Sequence, residues 1–308
     1  MPRKAITLLF VAAWLVFAPA GAAQTIPDSL RQGLSWQIAL ERAGFSPGVI
    51  DGKCAWKTGL ALHEFQLSRN LPVTGQPDDA TRAALGVDPS NVLAMYCVQQ
   101  SDLDKLGPVP KKWVDKADMD YLGYPSLDEE LAEQFHCTRG LLATLNPGKN
   151  VAHLAVGQSL VIPNLGNISV TRGDKVEISL SKKYVRVLSA DGRPVGLFFC
   201  SVAKHREKLP SGTARVVTIV NNPTYRFDPR MYPEVKSVHV KLLIPPGPRN
   251  PVGLCWIGLN KPGYGMHGTP NAEMIGKTGS HGCFRLANWD AVRLGKMIRV
   301  GTPVVFLP

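Results

Sequence analysis

A chain of 308 residues that is 44% hydrophobic and 19% charged carries enough apolar residues for more than one core, which excludes an intrinsically disordered protein. Its 29 Gly and 25 Pro call for many turns and short strands and argue against a coiled coil or a helix bundle. The 35 Lys and Arg against 24 Asp and Glu give a net charge of +11, which suits a polyanion; the cations are scattered, and no helix-turn-helix, zinc-finger or aromatic RNA-binding signature makes that polyanion a nucleic acid.

Residues 1–23 place Arg3 and Lys4 ahead of an apolar run from Ala5 to Ala18, followed by Pro19 and the small residues Ala20, Ala22 and Ala23. This is the pattern of a secretory signal peptide; the run of about 14 apolar residues is shorter than the ~20 that span a bilayer. The mature chain is expected to be exported to a periplasm or cell wall, with no integral membrane span. Export permits disulfides among Cys54, Cys97, Cys137, Cys200, Cys255 and Cys283. Cys54 with Cys97 is the one pairing suggested, because the two bracket a small domain, while Cys137, Cys200 and Cys255 sit in apolar contexts and are expected to be buried.

From 30 to 88, LSWQIALERAG sets Leu34, Ile38 and Leu40 on a helical face that Gly44 stops. A second helix carries Leu60, Leu62, Phe65 and Leu67, and Asp78 or Asp79 caps a short third one near Leu85. The segments AGFSPGVIDG and ALHEFQLSRNLPVTGQPDDATRAAL, with Asp51, Gly52, Phe65, Gln66, Gly75, Asp79 and Thr81, resemble the peptidoglycan-binding domain type 1. That resemblance implies a three-helix glycan-binding module.

Residues 108–126 hold Pro108, Pro110 and Pro125 among charges and read as a linker. LDEELAEQFHCTRGLLATLNPG then has helical spacing interrupted by Thr138, a candidate cap, and LAVGQSLVIPN gives a strand. LAEQF, LNPG and GQSLVIP make 108–166 a linker followed by a module that resembles LysM, without its usual opening strand.

Residues 168–308 change texture to short strands, VEISL, YVRVLS, VGLFFCSV, ARVVTIVN, VHVKLLI, LCWIGL and TPVVFLP, with one helix over 288–297 that Asn288 is placed to cap. The fold class is therefore multidomain, with a mostly-β C-terminal domain built as a sandwich-like or closed mixed sheet.

In that domain His267-Gly268-Thr269 follows the strand of Trp256, and Ser280-His281-Gly282-Cys283-Phe284-Arg285 lies shortly beyond. A thiol beside an imidazole and backbone N–H donors is expected to ionise near neutral pH, which makes Cys283 a candidate nucleophile. His267 is its candidate general base and acid. Gly282 lets an acyl group approach and, with Cys283, aims N–H groups at an oxyanion. Ser280 is a candidate to orient an imidazole, His281 to support the loop or a second pocket, and Arg285 to pair with a substrate carboxylate. Trp256, Tyr264, Gly268 and the proline-rich loop LIPPGPRNPVG are candidates for lining or covering the substrate. Two His and one Cys also suggest zinc, but no Cys-x-x-Cys or His-x-x-x-His spacing supports a metal, and neither metal nor other cofactor is expected.

The stretch from NPVGLCWIGLNKPGYGMHG through GSHGCFRL, together with LSKKYVRVLSADGRPV and NNPTY upstream, resembles the YkuD-type L,D-transpeptidase catalytic domain. Phe284 stands where a β-branched residue is usual, a change expected to reshape the pocket wall. The resemblance implies attack of Cys283 on the L-centre carbonyl of diaminopimelate in a tetrapeptide stem, loss of D-Ala, a thioester, and transfer to an amine. The implied partner is peptidoglycan, stems and glycan strands both, or an envelope protein as acyl acceptor. Water as the acceptor would make the same thioester an L,D-carboxypeptidase. A protein of another class, a non-catalytic peptidoglycan-binding wall protein, is disfavoured by the intact motif.

Overall fold

The computed structural model describes residues 26–232, 235–280 and 282–308. The expected signal peptide and His281 lie outside the described residues. Among those residues no helix is long and apolar enough to cross a membrane.

The N-terminal part contains α1 (Asp28–Arg42), α2 (Trp56–Ser68) and α3 (Asp79–Leu85). Gly44, at φ +89°, turns the chain out of α1, a conformation that costs glycine nothing. Asp78 caps α3 by accepting the Thr81 N–H at 2.8 Å. Gln66, fully buried in α2, accepts the N–H groups of Thr74 and Gly75 at 2.9 and 2.8 Å and so fixes the turn between α2 and α3. Gln66 and Thr81 are thus spent on the fold.

Next come β1 (Leu93–Cys97), α4 (Gln100–Leu103), α5 (Trp113–Ala117), α6 (Leu127–Gln134), α7 (Arg139–Leu145) and β2 (Ser159–Pro163). β1 pairs antiparallel with β2, Leu93 opposite Pro163, and thereby supplies a strand that the sequence pattern hid. Its residues LAMYC show no clean alternation of burial, and about thirty residues separate it from α6. Thr138 caps α7 through the Leu141 N–H at 3.0 Å. Residues 108–126, read above as a linker, instead hold α5, whose Trp113 stacks on Phe227 with ring centroids 4.1 Å apart. Cys54 and Cys97 are free, exposed thiols and not a disulfide: one precedes α2, and the other ends β1 on a strand tied to β2. Cys137, Cys200 and Cys255 are buried as expected.

The C-terminal domain consists of β3 (Lys175–Ser179), β4 (Tyr184–Leu188), β5 (Pro194–Phe199), β6 (Thr213–Asn221), β7 (Tyr225–Phe227), β8 (Leu242–Ile244), β9 (Cys255–Leu259), β10 (Gly265–Thr269), β11 (Phe284–Ala287), α8 (Asn288–Met297) and β12 (Pro303–Leu307). Eight strands form one mixed sheet in the order β11-β10-β9-β6-β12-β3-β4-β5, with β10–β11 and β12–β3 parallel; β7 and β8 form a separate hairpin. The two end strands meet, because Ser201, just past β5, exchanges backbone hydrogen bonds of 2.8 and 3.0 Å with Arg285. The sheet therefore closes on itself around an apolar core that includes Val176, Ile178, Phe198, Ile257, Met266, Phe284 and Leu294. Two expectations change. VHV at 238–240 lies outside β8, and Asn288 is the first residue of α8 with its side chain turned away from the helix end, to the Leu254 N–H and Glu133.

The parts are not separately cored. Leu34 and Ile38 of α1 pack with α6, α7 and β2, while Trp36, Ala39 and Leu40 pack with Phe65, Leu197 and Phe199. Where the three parts meet, Arg293 of α8 pairs with Glu41 of α1 at 2.9 Å and with Asp290 at 2.8 Å, and Glu41 also meets His136 Nδ1 at 2.8 Å. Burial opposes ionisation of Glu41, yet Arg293 and His136 hold its carboxyl down at about 2. Removing one member of such a group leaves a buried charge without its partner, so Arg293→Met is expected to cost about 3–5 kcal/mol in urea denaturation.

A second contact between parts is Glu133 of α6, which accepts from Tyr124 Oη at 2.7 Å and Asn288 Nδ2 at 3.0 Å. Burial pushes its carboxyl up to about 7 from an ordinary 4.5. The folded chain holds this proton through a pH range in which the unfolded chain has lost it, so the Glu133 contribution is full below pH 4.5 and disappears as pH rises through 7. Stability measured across that window is expected to decline less steeply in Glu133→Gln than in the native chain.

Candidate active site

His267 sits at the centre of β10, not in a loop after a strand as its sequence context suggested; the glycines of GMHGT masked the strand. Its neighbours in register are Trp256 on β9 and Arg285 on β11. Side chains of paired residues share a face, so Trp256, His267 and Arg285 form one row across three strands while Met266 and Phe284 point into the core. Cys283 immediately precedes β11, two residues before Arg285.

The imidazole of His267 is 6% exposed and lies against the Trp256 indole, ring centroids 5.7 Å apart and planes 27° apart. The indole in turn lies over Gly265 and Gly258, where a Cβ would come within 2.5 Å and 3.0 Å of it. His267 Nδ1 is 2.7 Å from the Gly268 carbonyl, an acceptor only, so Nδ1 carries the proton and Nε2 keeps its lone pair. Burial, aided by the Arg285 charge, drives the pKa of His267 down to about 4 against the pull of the Gly268 carbonyl. The ring is therefore a neutral base at physiological pH.

Cys283 is partly exposed, and its Sγ lies 3.5 Å from the Gly263 carbonyl. Burial raises its pKa above the ordinary thiol value, although the Gly265 N–H and the Arg285 charge pull it down. This corrects the expectation of a thiolate at neutral pH: the sulfur donates to a carbonyl, and desolvation outweighs the nearby positive charge. Thiol and imidazole are both neutral at rest.

Ser280 Oγ donates to the Cys283 carbonyl at 2.5 Å and accepts the Gly282 N–H at 3.2 Å, so among the described residues it closes the Ser280–Cys283 turn upon itself. The Gly282 N–H assigned above to an oxyanion is engaged in this long bond. Among the described residues a Cβ at Gly282 would meet the Gly263 carbonyl, at 3.6 Å, an ordinary van der Waals contact. Arg285 donates through Nη2 to the Gly279 carbonyl, and its buried Nε finds no acceptor among the described residues. Gly268 lies beneath Asn288, whose Oδ1 would lie 2.2 Å from a Cβ, so protein fills the side on which a side chain would stand. Phe284 is fully buried and stacks on Phe306 at 5.8 Å, a core residue and not part of a pocket wall.

Tyr264 donates to the Lys208 carbonyl at 3.0 Å and ties the loop before β6 to the β9–β10 turn. The proline loop after β8 is docked elsewhere: Leu122 donates to the Pro246 carbonyl at 2.8 Å, and Asn288 donates to the Pro248 carbonyl at 3.1 Å. The β7–β8 hairpin, of which the sequence offered a strand in VHVKLLI but not its pairing with β7, brings Tyr225 within electrostatic reach of Cys283. The Tyr225 hydroxyl is 2.6 Å from that of Tyr232, and burial and that bond raise its pKa.

Comparison with known proteins places the chain in a family. Residues 173–306 match the L,D-transpeptidase catalytic domain of the YkuD family, and residues 35–85 match a peptidoglycan binding domain. The chain is 32% identical over 180 residues to an L,D-transpeptidase named YkuD from Bacillus licheniformis, a match that covers 58% of this chain and 93% of that one. The Bacillus subtilis YkuD is 29% identical over 174 residues, 56% of this chain and 89% of that one. A crystal structure of an L,D-transpeptidase from Xylanimonas cellulosilytica superposes with a TM-score of 0.37 at 17% identity, covering 94% of this chain and 100% of that one.

If the Trp256 indole keeps water from His267, Trp256→Ala should raise the imidazole pKa from about 4 toward the ordinary 6.5. Titration of the ring by NMR checks this; an unchanged value would mean that the indole does not exclude water there.

Proposed function

Because the chain belongs to the YkuD family of L,D-transpeptidases and is an enzyme of that type, we propose that it cross-links peptidoglycan stems through a thioester on Cys283. The donor is a tetrapeptide stem, which loses its terminal D-Ala. The observation that carries this reading is the row of Trp256, His267 and Arg285 beside Cys283, with a neutral imidazole whose Nε2 is available to take a proton.

His267 Nε2 accepts the thiol proton as Cys283 Sγ bonds to the carbonyl carbon, and the carbonyl electrons move onto oxygen. When the tetrahedral centre collapses, the C–N bond to D-Ala breaks and the imidazolium returns its proton to the leaving amine. An acceptor amine then attacks the thioester and gives its proton to His267, which passes it to the departing sulfur. Starting from two neutral groups, the first step creates charge only as the bond forms. The oxyanion is stabilised by the Cys283 N–H and by the Gly282 N–H, which exchanges its 3.2 Å bond to Ser280 for a shorter, charge-assisted one. Arg285, partly exposed next to the reactive turn, pairs with a stem carboxylate.

The N-terminal parts hold the enzyme on the wall. Residues 35–85 match a peptidoglycan binding domain. The β1–α6–α7–β2 arrangement supports a LysM-like glycan contact, and an open depression beside it is lined by Gly148, Lys149, Asn150, His153 and Gln158. The aligned stretch in the Bacillus licheniformis relative is longer than the catalytic match, so it includes chain on the N-terminal side of that domain. Export follows from residues 1–23, and the net charge of +11 favours an anionic envelope.

Purified tetrapeptide muropeptides incubated with the enzyme are expected to give cross-linked dimers by mass spectrometry; tripeptides alone would mean hydrolysis. Cys283→Ala should abolish both products, and His267→Gln should slow the reaction by about 10²–10⁴-fold. Dimers formed by Cys283→Ala would end the assignment.

A further inference from the structure

Parallel strands cannot be joined by a tight turn, so β10 reaches β11 through residues 270–283, and the nucleophile turn is the end of that crossover. Its middle is gripped at two consecutive peptide groups. Gly276 N–H donates to Ser201 Oγ at 2.9 Å, and the Gly276 carbonyl accepts from Lys183 Nζ at 2.9 Å. The preceding carbonyl, that of Ile275, accepts from Lys57 Nζ at 3.1 Å, and Lys57 belongs to α2 of the peptidoglycan-binding domain. Four residues beyond Gly276, the Ser280 N–H donates to the Val202 carbonyl at 2.8 Å, and Ser280 Oγ closes the turn on Cys283.

Lys57 is built into its place. Its stem runs over Gly48, where a Cβ would come within 2.9 Å of Lys57 Cδ, and Gly48 has φ +84°, which also favours glycine. The ammonium lies 5.2 Å from the Phe199 ring centroid, and Trp56 meets the same ring edge-on at 5.3 Å. Burial lowers the Lys57 pKa. Desolvating an ammonium against a neutral carbonyl and an aromatic face is an expensive way to fill space, and a methionine would pack the same groove without that cost. What the ammonium adds is a directed bond to the crossover.

We propose that Lys57 is a positioning residue for the transpeptidase reaction: an ammonium from the wall-binding domain that holds the crossover so that the Ser280–Cys283 turn presents its thiol and N–H donors to the acyl group. The inference rests on Cys283 being the nucleophile. It makes the wall-binding domain part of the scaffold of the reactive loop as well as an anchor.

The test uses the full chain and two probes: imipenem, whose acylation of Cys283 needs the donors in place, and iodoacetamide, which reports thiol access. Lys57→Met is expected to slow acylation by imipenem about tenfold, because small misplacements of reacting groups are costly, while Lys57→Arg recovers most of the rate. Peptide mapping after iodoacetamide should show buried Cys200, adjacent to the crossover, as protected in Lys57→Met as in the native chain. Acylation of Lys57→Met within twofold of native would overturn the proposal. So would slowed acylation accompanied by alkylation of Cys200, which would make Lys57 merely structural. A native chain that imipenem does not acylate at Cys283 would instead defeat the reading of the site itself.

Discussion

The hydrogen bonds exchanged by Ser201 and Arg285 are the constraint from which the rest follows. They join the two ends of an eight-stranded sheet, and a sheet closed there leaves no open edge beside the reactive turn. Ser201 serves this closure twice, with its backbone against Arg285 and its hydroxyl under Gly276. The closure also holds β11 in the register that sets Arg285 opposite His267, with Cys283 two residues before it. A one-residue slip would turn Phe284 outward and Arg285 into the core, which makes the register a strongly specified feature.

Chemistry at this mouth is governed by desolvation. Trp256, bedded on two glycines, covers one face of His267, and the Gly268 carbonyl fixes which nitrogen carries the proton. The same loss of water that keeps the imidazole neutral raises the Cys283 thiol, so the two groups rest uncharged. In the proposed reaction, such a resting state avoids holding a buried charge between turnovers and relies on proton transfer as the sulfur attacks.

Much of this was legible in the sequence, and the misses share a cause. Gly44, Asp78 and Thr138 announced helix ends because capping is a local interaction, and the buried cysteines followed from their apolar neighbours. The motif pointed to His267 and Cys283, and strand pairing sets His267 opposite Arg285, two residues beyond Cys283. What escaped were features set by distant partners: β1, which needs β2; β10, whose glycines exist to receive Trp256 and Asn288; and the docking of α5 on Phe227. Lys57 gave no signal, since nothing near it in sequence reveals an Ile275 carbonyl 218 positions away. Phe284 misled because a motif residue that supports packing looks the same in sequence as one that faces a substrate.

The measurement that bears most directly on this account is the ionisation of Cys283 itself, read as the difference in thiolate ultraviolet absorbance between the native chain and Cys283→Ser, which cancels the other five thiols. A neutral resting pair predicts almost no difference at pH 7 and a thiolate signal that grows only in the alkaline range, above the ordinary thiol pKa. A full thiolate signal at pH 7 that persists into the acid range would show an ion pair with His267 and contradict the account.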